Sequence, residues 1–212
     1  MMSDRTQVHR SPHKQNFDPA LAKSIIQRAI VAHVGISVDG QPYVLPVACA
    51  PYKDELLLHG SNASRMFKTL MDGAPACITI THVDGLVLAR SSYESSMHYQ
   101  SLMALGVGRN LEGDEKIDAL DVLTEHLFPE RLQELRKSLD QEVNATSIVA
   151  FPLTEISVKI SNGQPKDKEM DLDSDLWAGI LPIERKYGVA IPADNLRPGI
   201  ALPDYIATWI AG

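Results

Sequence analysis

The feature that most restricts this chain is a succession of short apolar, β-branched runs separated by residues that only tight turns favour. Residues 31–38 and 43–50 are two such runs, and Asp39-Gly40 between them is the dipeptide that closes a two-residue hairpin. A second turn at residues 51–54 leads into a third short run, 55–59, so an antiparallel meander is expected from turn length alone. Runs at 76–83 and 86–89 predict two further strands around Asp84-Gly85. Residues 101–107, 145–151 and 156–160 add three more. Nothing in this order has the strand–helix–strand rhythm of a parallel sheet. The expected fold is therefore mainly β, an antiparallel barrel with peripheral helices.

The helices are read from caps and spacing. Asp18-Pro19 opens a helix through Leu21, Ile25, Ile26 and Ala29, ending near Ile30. Residues 65–71 form a short helix closed by Gly73 and Pro75. Ile117, Leu120, Leu123 and Leu127 carry a helical period over 115–127, and residues 132–143 repeat it. Residues 1–17 are expected as a flexible N-terminus, 18–162 as the barrel domain, and 163–212 as a C-terminal extension packed on the barrel or on a dimer partner.

Composition removes several classes. The net charge of −7, with scattered cations, gives no basic face for nucleic acid. No apolar run approaches the roughly 20 residues of a membrane helix, and the polar first residues lack a signal-peptide pattern, so a cytoplasmic location is expected. Cys49 and Cys77 each sit in an apolar run and read as free buried thiols. No histidine pair has metal-ligand spacing, and Asp171, Asp173 and Asp175 lack the glycine and distal glutamate of a calcium loop, so no metal is expected. Ser92, Ser95 and Ser96 have no nucleophile-elbow setting.

The richest chemistry lies in His59-Gly60-Ser61-Asn62-Ala63-Ser64-Arg65-Met66-Phe67-Lys68. A helix start has unpaired N–H groups and the positive end of the dipole, which together favour an anion. Ser61 and Ser64 add hydroxyl donors, Arg65 a bidentate cation and Lys68 a point charge one turn on, a set that suits a phosphate monoester. On residue chemistry alone the same segment is equally an ordinary capped helix with solvated cations.

Four segments in register give a resemblance. Gly40-Gln41-Pro42-Tyr43-Val44-Leu45-Pro46-Val47, the 59–68 segment, Asp84-Gly85-Leu86-Val87-Leu88-Ala89-Arg90-Ser91 and Met97-His98-Tyr99-Gln100-Ser101 resemble the FMN-binding split-barrel proteins related to pyridoxamine phosphate oxidase. The branch most resembled contains the nitroimidazole-resistance proteins. Ala145-Thr146-Ser147 and Trp177-Ala178-Gly179-Ile180-Leu181-Pro182 look like that branch's C-terminal half, so residues 25–205 are covered.

The resemblance implies a homodimer with FMN in the grooves between subunits, a small-molecule substrate, and electron transfer from a reduced nicotinamide to a small or nitroaromatic acceptor. It implies that Val47 and Ala48 line the flavin ring, that Arg65 holds the phosphate, and that Ser101 lies near phosphate or ring. His59 becomes a candidate functional histidine and Trp177 a candidate cover for the flavin. His82 and His98 flank the Asp84–Ser91 segment and are candidates to approach the flavin, its substrate or a haem iron. Met66 stands where pyridoxamine phosphate oxidase has a lysine, so Lys68 is the expected substitute. The oxidase's C-terminal substrate arginine and histidine have no counterpart, and activity on pyridoxamine phosphate itself is not expected. A non-catalytic cofactor carrier and a haem-binding or haem-degrading relative of the same barrel are the alternatives.

Overall fold

The structure is a computed structural model that describes residues 4–211. Among them are ten strands and five α-helices: β1 Gln15–Asn16, α1 Pro19–Gln27, β2 Val31–Val38, β3 Gln41–Tyr52, β4 Glu55–Ser61, α2 Arg65–Met71, β5 Pro75–Leu88, β6 Ser96–Val107, β7 Arg109–Asn110, α3 Gly113–Leu127, α4 Asp140–Ala145, β8 Thr146–Pro152, β9 Ile156–Ser161, β10 Gly179–Pro182 and α5 Asp204–Ala211. Every strand pairing is antiparallel, in the order β1-β9-β6-β5-β2-β3-β4-β8-β7, with β10 on β5.

Local sequence explains the first hairpin. Asp39 and Gly40 have φ of 51° and 78°, both left-handed as a tight reverse turn requires, and Val38 pairs with Gln41. Asp18 accepts the Ala20 N–H at 2.9 Å and Pro19 fills the first helical position, which fixes the start of α1. Strand β3 then changes partners. Residues up to Ala48 pair with β2, and Cys49 onward pairs with β4, so one strand is shared by both halves of the barrel.

Two hydrophobic clusters follow from strand alternation. Val34, Ile36, Val47, Cys49, Leu56, Leu58, Ile78, Ile80, Leu102, Val149 and Phe151 fill the barrel interior, closed by Ile25 and Ile26 of α1 and by Met66, Phe67 and Leu70 of α2. Ala50, Tyr52, Leu57, Ile148 and Ala150 point outward and are covered by Ala119 and Leu123 of α3.

Four expectations are corrected. The two strands expected around Asp84-Gly85 are one, β5, with a register shift between Val83 and Gly85. The bulge turns the strand, and a side chain on Gly85 would come within 3.0 Å of the Leu181 carbonyl, so glycine admits the approach of β10. Strand β6 begins at Ser96 rather than 101, because Met97 and His98 pair with Leu86 and Gly85.

The helix expected over 132–143 is a 3₁₀ turn at Leu132–Glu134 and the short α4, since Leu135 and Leu139 find nothing to bury against. The segment expected as a flexible N-terminus is joined to the sheet: Gln15 and Asn16 pair with β9, Arg5 contacts Glu155, and Thr6 is buried. The C-terminal extension supplies β10, which pairs with β5, and α5. Asp167 further ties it by accepting from the Arg90 backbone N–H at 2.6 Å and its guanidinium at 2.8 Å.

Candidate functional site

The 59–68 segment leaves β4, turns and enters α2. Gly60 is obligatory there: a Cβ would lie 2.2 Å from the Phe67 ring, which packs beneath the turn in the barrel core. Ser61 shapes the turn, with its Oγ accepting the Ala63 N–H at 3.2 Å and its carbonyl the Ser64 N–H at 3.0 Å. Asn62 anchors it to the end of α4, donating from its backbone to Ala145 and from its side chain to Asn144.

Ser64 occupies the N-cap of α2, yet its hydroxyl makes no capping bond among the described residues. The first N–H groups of α2 are thus unsatisfied by their cap. Arg65 and Lys68 are exposed with no ion pair among the described residues, and the Arg65 guanidinium stacks 4.3 Å from the Tyr43 ring. Tyr43 holds that cation at the helix start without neutralising it. The arrangement offers an anion unpaired N–H groups, hydroxyls and two free positive charges.

The other expected residues are divided by alternation. Val47 points into the core, so it reaches a ligand only through its backbone. Ala48 faces out opposite Val31, and continuing the β3–β4 register sets it across from His59. His59 is half-buried on β4 beside Ile148. Burial lowers its pKa, which leaves the imidazole neutral at neutral pH. Ser101 faces out between Thr81 and Lys159, in a cleft of about 360 Å³ bordered by residues 5–8. Trp177 is not brought to this group. It stands beside β10 at the far end of β5, 69% exposed, with its ring against Gly179.

Histidines sort by partner. His82 and His98, flanking the β5–β6 hairpin, each place Nε2 2.9 Å from a backbone carbonyl, of Ile25 and Gly163. His126 does the same with Ala29 at 2.7 Å. His33 has no ring partner among the described residues and lies on the outer face of β2 between Pro46 and Thr79. In the sequence His33 is one residue of the apolar run 31–38. The signal available was phase, because odd-numbered β2 residues point outward throughout. Tyr43 was legible only as part of a motif. Among the described residues no cluster of three metal-ligating side chains forms, and no helix is long and apolar enough to cross a membrane.

The family model for pyridoxamine 5'-phosphate oxidase matches residues 18–160. A search of curated proteins gives no match. Among solved structures, the FAD and heme binding protein of Mycobacterium smegmatis is 34% identical, with 93% of this chain and 97% of that one covered at a TM-score of 0.90. A flavocytochrome from Azotobacter vinelandii is 32% identical, with 98% and 97% covered at 0.91. A 5-nitroimidazole antibiotic resistance protein from Bacteroides thetaiotaomicron, 24% identical over 80% of this chain and 90% of its own at 0.60, shares the fold.

Proposed function

The chain belongs to the pyridoxamine 5'-phosphate oxidase family, a split-barrel fold, and from that premise we propose that it is a flavin-binding oxidoreductase that also holds haem. The observation that carries this reading is near-full-length similarity to two proteins named for flavin and haem together. In this reading the flavin is FAD, as in the Mycobacterium smegmatis relative, in place of the FMN expected from sequence.

The residues present fit a flavin phosphate. Uncapped N–H groups at α2, the Ser61 and Ser64 hydroxyls, Arg65 and Lys68 form a donor set for which no side-chain acceptor is found among the described residues. Arg65, braced on Tyr43, positions the phosphate, and Lys68 adds charge from one turn along. The outer face carrying Ala48, His33 and Ser101 supplies backbone and small side chains against which a flat ring rests. A bound flavin would supply reversible electron and hydride transfer, and these residues would orient it. His59, neutral through burial, offers a hydrogen bond without placing a charge beside that face.

We also propose a homodimer with the cofactor at the subunit interface. Val44 on this outer face is 67% exposed and Ile191 in the tail 92%, apolar surface that a second copy would cover.

The reading is tested by releasing and weighing the cofactor from the purified full chain and recording its spectrum. Flavin bands, an FAD mass and bleaching by NADH or NADPH without oxygen are expected. The double variant Arg65→Ala/Lys68→Ala should lose the flavin. Full flavin occupancy in that variant would refute the phosphate placement, and a wild-type spectrum without flavin would refute the function.

A further inference from the structure

We propose that the cleft between the end of α1, the β5 bulge and the chain after β10 holds the two carboxylates of haem, with Arg28 and Arg185 as their partners. This rests on the flavin-and-haem reading above. The bulge makes the cleft. At Asp84 the strand turns, and its carbonyl accepts the Ile183 N–H at 3.0 Å, pinning the tail beside β5. That contact brings Arg185, Lys186 and Tyr187 together with Arg28 and Ile30, residues more than 150 positions away, around about 570 Å³. This volume falls within the roughly 300–1,000 Å³ usual for cofactor sites.

The lining matches haem, a flat apolar ring with two carboxylates at one edge. Ile30, Val83, Ile183 and Tyr187 give apolar walls that remain partly open to solvent. Arg28 donates to the neutral Gln100 amide at 3.0 Å, and Gln100 donates in turn to Asp84 at 2.8 Å, so Arg28 is oriented while its charge stays one residue removed from a carboxylate. Arg185 has no ion pair among the described residues, whereas Lys186 is paired with Glu184 at 3.0 Å. Two guanidiniums therefore line the cleft for two carboxylates, and Asp84, the carboxylate that lines it beside them, is occupied in accepting from Gln100. His82 closes the floor and is fixed on Ile25.

The cleft adjoins the proposed flavin face without using its phosphate residues: continuing the β2–β5 register sets Val31 beside Thr81, which lines the cleft. The family model ends at residue 160, before the tail that supplies Arg185, while the flavocytochrome match covers 98% of the chain.

The test is titration of the full-length protein with hemin, read by the Soret band, with flavin content measured in parallel. Arg28→Ala/Arg185→Ala should weaken haem uptake at least tenfold and leave flavin content unchanged; Arg28→Lys/Arg185→Lys should recover part of it. Should the double variant fold poorly, Arg185→Ala alone keeps the test, because that exposed side chain has no ion pair to lose and should still cost severalfold in affinity. Haem uptake by the variants within twofold of wild type overturns the placement alone. A wild-type protein that takes up no haem overturns the placement together with the haem reading. Loss of NADPH-driven flavin bleaching with haem uptake unchanged assigns the cleft to a dinucleotide and overturns the placement.

Discussion

Replacing Gly60 with alanine probes the joint on which the candidate site rests. The added methyl would lie 2.2, 2.7 and 2.9 Å from three carbons of the Phe67 ring, against the roughly 3.5–4.0 Å at which carbon atoms rest. Phe67 is 2% exposed and packed among core residues, so the ring has no open direction to take. Either it leaves its rotamer or α2 shifts with it, and overpacking of this kind costs about 1–3 kcal/mol. For a chain of this size, that lowers Tm by about 2–12 °C. Because α2 begins at Arg65, flavin retention should fall with stability.

The assay is a double-mutant cycle by thermal unfolding of the purified full chain: wild type, Gly60→Ala, Phe67→Leu, and both together. Leucine withdraws the ring edge, so the double variant should be more stable than the two single losses predict, by about 0.5–3 kcal/mol. Additivity within about 0.5 kcal/mol would show that this contact does not set the position of α2 and would refute the reasoning.

Three other outcomes are expected. His59 has a lowered pKa from burial, so its contribution to stability is full above the ordinary value near 6.5 and is lost as pH falls below it, when the unfolded chain protonates first. The drop in Tm between pH 7.5 and 5.5 should be smaller in His59→Gln. Asp167→Ala strips Arg90 of its backbone and guanidinium acceptor and should cost about 2–3 kcal/mol, with faster proteolysis within residues 163–178, measured by melting and limited digestion. Cys49 is buried with its thiol pushed up to about 12, so a maleimide should label it only on unfolding, whereas Cys77, half-buried and also raised by burial, should be labelled slowly in the folded protein; mass spectrometry of the labelled peptides decides.

Much of the strand order was legible because the signals are local. The Asp39-Gly40 turn, the Asp18-Pro19 cap and the run from Ser64 into Arg65–Met71 each depend on a few neighbouring residues, and each element lies where those residues put it. The failures have the opposite character. Residues 132–143 carry a helical period with no surface to pack on, and Gln15 and Asn16 become a strand only because β9 offers an edge.

Local pattern carries the antiparallel β fold and the one loop–helix junction that gathers hydroxyls, N–H groups and two cations. Only strand pairing in three dimensions sets Val47 inward while Ala48 and His33 face out, changes the partner of β3 at Cys49, and places Arg28 and Arg185 on one cleft. The reason is range. Turns and caps are set by bonds a few residues long, whereas facing, register and the meeting of distant cations depend on which strands pair, and no short stretch of chain encodes that by itself.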